Sequence, residues 1–462
     1  MQSYDEKHKR MIEQPLPKLL AALAAPAIVA VMITSIYNMA DTFFVGLMGS
    51  SSKTGAVGVA LPIMTIIQAV GFFFGHGSGN YVSRALGHKD TRDAETMAAT
   101  GFYSGIVMGL VITVSGFALI KWLPGWLGAT ETIEPYTREY LQYIFIGAPW
   151  MVGSLILNNQ LRFQGSAFYG MIGIGSGGIL NIALDPIFIF TLDMGVGGAA
   201  LATILSQFVG FVLLWIGTLK GGNIRLRIKN VRPSLENYRE ILRGGLPSLW
   251  RQGLSSVSTM CLNLAARPYG DPAIAAFSIV SRVMMFALSA VIGFGQGFQP
   301  VCGFNYGAER YDRVRGAFWL SFKVSIVVLT AFAILGACFA PGVVEIFMTG
   351  ENAEALEVAA IGAKALRLQC IFFPLLGFLT LSNMMLQTIG LAGRASVLAA
   401  SRQGIFFLPA IFILPRLFGL AGVQWSQPIA DLLSVLLTIP ITLSVLREMK
   451  RVEERQKRVA QA

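Results

Sequence analysis

Residues 75–90 read GHGSGNYVSRALGHKD, and residues 295–310 read GQGFQPVCGFNYGAER. Both stretches open with a Gly-x-Gly step, carry another glycine ten residues after the second, and continue into charged residues. Each also closes a long apolar run. A pattern that returns after about 220 residues predicts two similar halves within one chain.

The composition around these stretches is that of a membrane protein. Of the 462 residues, 54% are hydrophobic and only 13% are charged, and the mean hydropathy is +0.62. Soluble domains carry about 25% charged residues. Apolar runs of about 20 residues are long enough to cross roughly 30 Å of hydrocarbon, and they recur along the whole chain. We therefore predict an all-α polytopic protein with about twelve transmembrane helices, at 16–48, 56–83, 96–120, 139–161, 168–191, 197–219, 245–266, 273–300, 316–339, 357–380, 384–414 and 420–446.

Other positions follow the same shift and support two halves of six spans each. An even number of spans gives both halves the same orientation, related by an axis along the membrane normal, as in transporters with parallel repeats. The further matches pair Pro26 with Pro247, Ala56-Val57-Gly58 with Ala276-Phe277-Ser278, and Asn158 and Gly165 with Asn383 and Gly390.

Lysine and arginine are concentrated in alternate loops, which indicates topology rather than nucleic-acid binding. The net charge of +11 comes largely from loops near 84–92, 220–243 and 310–315 and from the C-terminus. This distribution predicts a multi-pass protein of the cell inner membrane with both termini in the cytoplasm. The expected organisation is an N-terminal segment (1–15), an N-terminal lobe (16–219), a cytoplasmic linker (220–244), a C-terminal lobe (245–446) and a basic tail (447–462).

Two acidic residues fall inside predicted spans, where a charge is costly enough to indicate function. Asp41 lies in the first span and Asp185 in the fifth, and the matching positions of the second half hold Cys261 and Pro409. The repeat therefore does not require the acids. Asn181 precedes Asp185 by four residues and shares its helix face.

These residue types suit the binding of a proton or a hard cation. Burial favours the neutral form of a carboxyl group, so such acids can load and release a proton. The oxygens of Asp41, Asn181, Asp185 and Thr203 could instead hold Na⁺, which prefers oxygen ligands. A third reading is that the two acids are a structural pair. For His76, a packed and hydrogen-bonded side chain is favoured over a proton relay, and Arg282, Arg402, Lys323 and Asp431 are interpreted equally well as interhelical pairs or functional charges.

The quoted motifs resemble the multidrug and toxic compound extrusion (MATE) family, in its DinF-like, MepA-like branch. The resemblance covers essentially the whole chain and rests on 75–90, NIALDPIFIF at 181–190, GGAALAT at 197–203 and GLAGVQWS at 419–426. It implies two six-helix lobes around a central cleft. It also implies an ion site at Asp41, Asn181, Asp185 and Thr203, with Tyr37 and Asn158 lining the same cavity.

The resulting expectation is a secondary active antiporter that exports cationic or amphipathic drugs, with H⁺ favoured over Na⁺ as the coupling ion. It would need no cofactor or metal, act as a monomer within the lipid and bind no nucleic acid. The alternative is a flippase for lipid-linked or amphipathic substrates, which should carry more cationic residues in its cavity. An enzyme is disfavoured because the three histidines form no HExxH motif and no nucleophile motif occurs.

Overall fold

A computed structural model of the chain describes residues 4–48, 50–220, 223–347 and 353–461, and these residues form helices and no β-strand. Short 3₁₀ or π-helical turns interrupt or join some of them, including π-helical segments at Ile187–Thr191 and Ser401–Ile405. The helices are α1 (Tyr4–Glu13), α2 (Leu16–Gly46), α3 (Ser51–Gly87), α4 (Thr91–Leu119), α5 (Leu123–Trp126), α6 (Glu134–Phe163), α7 (Ala167–Pro186), α8 (Gly195–Thr218), α9 (Leu235–Ala266), α10 (Asp271–Gly307), α11 (Tyr311–Cys338), α12 (Ala340–Glu345), α13 (Ala353–Phe372), α14 (Leu376–Thr388), α15 (Ala392–Ala400), α16 (Phe407–Phe418) and α17 (Leu420–Gln461).

Within the described residues, eleven helices are long and apolar enough to cross a membrane. The seventh predicted span, 245–266, lies in α9, which has sufficient length but is less apolar because it carries residues such as Arg251, Gln252 and Asn263. α9 packs against α3 and α15, so neighbouring helices cover part of its polar surface. The prediction of an all-α polytopic protein is confirmed.

The break predicted between spans ten and eleven, at 380–384, is wrong. Helix α14 continues to Thr388, and the chain turns at 389–391 around Gly390. Residues 380–389 read TLSNMMLQTI and alternate apolar with uncharged polar side chains, so hydropathy alone does not place the turn. The predicted linker and tail are also partly helical, because α9 begins at Leu235 and α17 continues to Gln461.

The turns between helices repeat in the two halves. Lys89 after α3 and Glu309 after α10 both have positive φ, at 63° and 57°. Gly165 after α6 and Gly390 after α14 have φ of 78° and 85°. Each of the four donates its N–H to the carbonyl three residues earlier, which ends the helix in the same way. The repeat predicted from the sequence is therefore present in the backbone.

The contacts between the halves have twofold symmetry. α2 packs against α10, α9 packs against α3, and α3 and α10 pack against each other. In the repeat, α2 corresponds to α9 and α3 corresponds to α10. Exchanging the halves therefore turns the α2–α10 contact into the α9–α3 contact and leaves the α3–α10 contact unchanged. This pattern confirms two parallel halves related by an axis that passes between α3 and α10.

The halves meet tightly at one end of the bundle. We call this end the basic face, because it carries the turns at 88–90 and 308–310 and the segment 223–234. A Cβ placed on Gly77 would lie 2.4 Å from the Ile241 carbonyl oxygen, and one on Gly297 would lie 2.4 Å from Ala24 Cα. Only glycine allows the helices to approach this closely, so glycine spacing closes the basic face.

Polar contacts and α1 reinforce this closure. Arg84 of α3 donates to the Thr388 carbonyl at 2.5 Å and pairs with Glu240 of α9 at 3.2 Å. Tyr4 of α1 donates to the Leu86 carbonyl in the N-terminal half. In the C-terminal half, Asn305 donates to the carbonyl of Met11 in the same helix α1, so α1 is tied to both halves.

Beyond the basic face, the far parts of α2, α3, α9 and α10 expose large apolar side chains. Hydrogen bonds such as Asn80–Thr388 and His76–Ser248 join the halves nearer the basic face. The exposed apolar faces agree with the central cleft that the sequence predicts, with its opening at the end opposite the basic face. The exposed apolar residues include Ile36, Met39, Leu61, Ile66, Met260, Leu264 and Met285.

Candidate functional site

The N-terminal half holds a buried acidic site on α7. Asp185 is completely buried, and its Oδ1 accepts a hydrogen bond of 3.2 Å from the Asn181 amide one turn earlier. Pro186 follows directly and has no N–H to give the carbonyl four residues earlier. The helix then changes to a π-helical segment at Ile187–Thr191. The sequence Asn-x-x-x-Asp-Pro thus places a carboxylate at a local irregularity of the backbone.

Asp41 of α2 belongs to the same cluster. It is partly buried and interacts electrostatically with Asp185 and with Tyr37, one turn earlier on α2. The Tyr37 ring packs on Gly178 of α7, where a Cβ would lie 3.0 Å from the ring. The structure therefore brings Tyr37, Asp41, Asn181 and Asp185 together across the contact between α2 and α7.

Three buried oxygens in this cluster have no hydrogen-bond partner within the described residues: Asp41 Oδ1, Asn181 Oδ1 and Asp185 Oδ2. Neither Asp41 nor Asp185 forms an ion pair there. A buried carboxylate without a partner is strongly unfavourable, so it takes up a proton or binds a cation. The geometry supports ion binding and argues against two acids that serve only as a structural pair.

Sequence reasoning missed Tyr140 of α6. This side chain is 1% exposed, and it interacts electrostatically with both Asp41 and Asp185. Its hydroxyl donates to Met64 Sδ at 3.5 Å. Three tyrosines lie in one eight-residue stretch near the start of this helix, at 136, 140 and 143. No signal in the sequence distinguishes the one that faces the acids.

Two predicted site residues form no hydrogen bond with the acids among the described residues. The Thr203 hydroxyl donates to the Ala199 carbonyl of its own helix, and α8 packs against α7. Asn158 of α6 lies against Gly170 near the start of α7, where a Cβ would be 2.6 Å from Asn158 Oδ1. Gly170 precedes Asp185 by fifteen residues, or about 22 Å along a helix. Their assignment to the ion site and its cavity stays a prediction.

The intramembrane charges of the C-terminal half form an ion pair. Arg402, in the π-helical segment after α15, donates to Asp431 of α17 at 2.8 Å, and Gln427 donates to the same Asp431 oxygen at 2.7 Å. Asp431 is 1% exposed. Arg282 and Lys323 are exposed and form no ion pair in the part of the chain that is described. Pairing is thus the reading that the structure supports for Arg402 and Asp431.

Replacing Asp431 by asparagine is expected to destabilise the protein by about 3 kcal/mol, because it leaves the Arg402 charge without its partner. Thermal unfolding of the purified protein measures this. Asp312→Asn is the matched control, since Asp312 pairs with Arg310 on the exposed surface, where such pairs contribute about 0–1 kcal/mol. Equal losses from the two variants would contradict the importance of the buried pair.

His76 is packed and hydrogen-bonded, in agreement with the favoured reading. It is 3% exposed and stacks on Phe72 at 5.4 Å. Its Nδ1 lies 3.0 Å from the Ser248 hydroxyl, and Nε2 lies 3.3 Å from a nitrogen of Arg162. Because Arg162 has only donors, Nε2 accepts and the imidazole is the neutral form protonated on Nδ1.

Comparisons with known proteins agree with this architecture. The chain matches the family model MatE over residues 26–187 and 247–413, one match in each half. It is 30% identical over 419 residues to the multidrug export protein MepA of Staphylococcus saprophyticus, covering 89% of this chain and 90% of that protein. It is 28% identical over 438 residues to MepA of Staphylococcus aureus, covering 94% of each.

Solved structures show the same fold. A crystal structure of a MATE protein in complex with MaL6 superposes with a TM-score of 0.90 at 26% identity, covering 96% of this chain and 99% of that one. A multidrug resistance MATE family transporter of the MOP superfamily in its outward-facing conformation has a TM-score of 0.89 at 26% identity, covering 96% and 98%.

Proposed function

Because this chain belongs to the MatE family of multidrug efflux transporters, we propose that it exports cationic or amphipathic drugs in exchange for protons bound at Asp185 and Asp41. The observation that carries this proposal is the pair of interacting acids, which have unpartnered oxygens and form no ion pair with any described residue. The staphylococcal relatives are multidrug export proteins, which supports the same substrate class here.

The proposed mechanism follows from the charges and the cleft. A lipophilic cation enters from the basic face when that face is open, and the ionised acids hold it by electrostatic attraction. After the basic face closes, protonation from the opposite side neutralises the acids and releases the drug. One proton moving down an electrochemical gradient of about 150 mV supplies about 3.4 kcal/mol, which sustains an electrochemical ratio of the drug on the order of a few hundred.

The orientation is part of the proposal. The loops richest in lysine and arginine lie at the basic face, and such loops remain in the cytoplasm of bacterial cells. We therefore place both termini in the cytoplasm and assign the cleft to the outward-facing state of a cell inner membrane protein. Both halves of the cleft come from one chain, so a monomer is sufficient for transport.

Na⁺ is the second candidate for the coupling ion. The three unpartnered oxygens come from Asp41, Asn181 and Asp185, and they match the ligand type of a hard cation. The Thr203 hydroxyl donates its proton to its own helix, which leaves its oxygen lone pairs free for a cation. H⁺ is preferred because each of the two interacting carboxyl groups becomes neutral on taking up one proton, without further ligands.

Efflux of ethidium or norfloxacin from proteoliposomes tests this function. Efflux by the purified protein is measured first under a pH gradient and then under a Na⁺ gradient of equal size. We expect the pH gradient to drive efflux. Efflux under the Na⁺ gradient alone would show that Na⁺, and not H⁺, is the coupling ion at these acids. No efflux under either gradient would favour a flippase for amphipathic substrates.

A further inference from the structure

Two arginines between the halves form no ion pair with a carboxylate in the part of the chain that the structure describes. Arg162 at the end of α6 is 3% exposed. One of its terminal nitrogens donates to Asn159 Oδ1 at 2.6 Å and approaches His76 Nε2, while its buried Nε has no partner. Arginine remains charged in proteins, so this part of the interior carries a permanent positive charge.

Arg251 adds a second charge from the other half. It lies on α9 seven residues after Gly244, which touches Gly77 of α3, and seven residues return to nearly the same helix face. Ser248, one turn before Arg251, bonds His76. Arg251 thus lies one turn beyond these close contacts of α9 with α3, on the side of the expected cleft.

The Arg251 side chain is partly exposed, and it forms no hydrogen bond or ion pair with any described residue. It interacts electrostatically with His76 and with Arg162. Since His76 is neutral in this hydrogen-bond arrangement, two positive charges remain, and they repel each other. An interior charge of this kind is costly and indicates a ligand or a partner that offsets it.

We propose that Arg251, supported by the charge of Arg162 beneath it, binds the carboxylate of zwitterionic amphipathic substrates. The guanidinium fork matches a carboxylate in geometry and charge. The acids of the N-terminal half then bind the cationic end of the same substrate. The cleft therefore has negative charge on one side and positive charge on the other. This inference rests on the proposed export function and names a substrate class for it.

Two dyes that differ in one group provide the test: rhodamine 6G, a cationic ester, and rhodamine 19, its free acid. Binding of each is measured by fluorescence with protein in phosphatidylcholine nanodiscs at a pH that ionises the acid. Arg251→Gln is expected to weaken the binding of rhodamine 19 by about tenfold or more. The affinity for rhodamine 6G should change by less than about twofold. Arg251→Lys should retain part of the acid affinity, and Arg282→Gln is the control arginine.

The other outcomes separate the explanations. Loss of both dyes in Arg251→Gln, with a lower unfolding temperature, would assign Arg251 a structural role and overturn the site. Wild-type binding of rhodamine 6G alone would overturn the site and leave the export function standing, whereas binding of neither dye would overturn both. The same binding is measured in phosphatidylglycerol nanodiscs. If the anionic lipid weakens the binding of rhodamine 19 to the wild-type protein but not to Arg251→Gln, an anionic lipid is the ligand of Arg251, and the substrate assignment is wrong.

Discussion

Replacing Asp185 by asparagine is expected to abolish ion-driven drug export, with the initial efflux rate falling at least about tenfold. Asparagine has nearly the same shape, so it can still meet Asn181 on the same helix face, but it cannot take up or release a proton. The side chain is completely buried and carries an unpartnered oxygen. The measurement is efflux in proteoliposomes under a fixed pH gradient, together with equilibrium binding of the same drug.

The matched control is Asp193→Asn, eight residues later in the chain. Asp193 is exposed and lies beyond the π-helical segment, so the same substitution should leave the efflux rate unchanged. Asp41→Asn is expected to lower the rate less than Asp185→Asn, because Asp41 is only partly buried. Full export by the Asp185 variant under the pH gradient would show that this acid does not carry the coupling ion.

Replacing Gly307 by valine is expected to prevent closure of the basic face and to reduce transport by at least about tenfold. A Cβ at this position would lie 2.1 Å from the Arg84 carbonyl oxygen and 3.1 Å from Arg84 Cα, so backbone atoms of α3 block it. Packed helices cannot absorb such an overlap without separating. A transporter that cannot close one side cannot complete an exchange cycle.

Accessibility of Ser83 reports the closure directly. Ser83 is completely buried against α10 and close to Gly303. In a background without the native cysteines, a Ser83→Cys reporter should react with a water-soluble maleimide from the basic face at least about tenfold faster when Gly307 is valine. Gly58→Val in α3 is the control, since a Cβ there meets nothing within 4 Å. An unlabelled reporter together with normal transport in Gly307→Val would show that this contact does not close the protein.

Local features of the sequence were sufficient for the architecture and for the acid pair. Apolar runs predict transmembrane helices, because a helix in lipid satisfies its backbone hydrogen bonds internally and presents its side chains to the hydrocarbon. The glycine steps near 75–90 and 295–310 repeat because the same close helix contacts recur in both halves. Asp41 and Asp185 stand out because an acid within an apolar run is costly wherever its helix packs.

The tertiary structure decided which distant residues meet. Tyr140 reaches the acids, Arg402 finds Asp431, and His76 meets Ser248 172 residues away, and no run length or spacing encodes these pairs. The sequence of α9 predicts a transmembrane helix, but it does not show that the polar residues of α9, Ser248 and Arg251 among them, lie at the contact between the halves. The sequence alone determined what each helix can bury, because that depends on local composition, whereas side-chain partners depend on how separate helices pack in space.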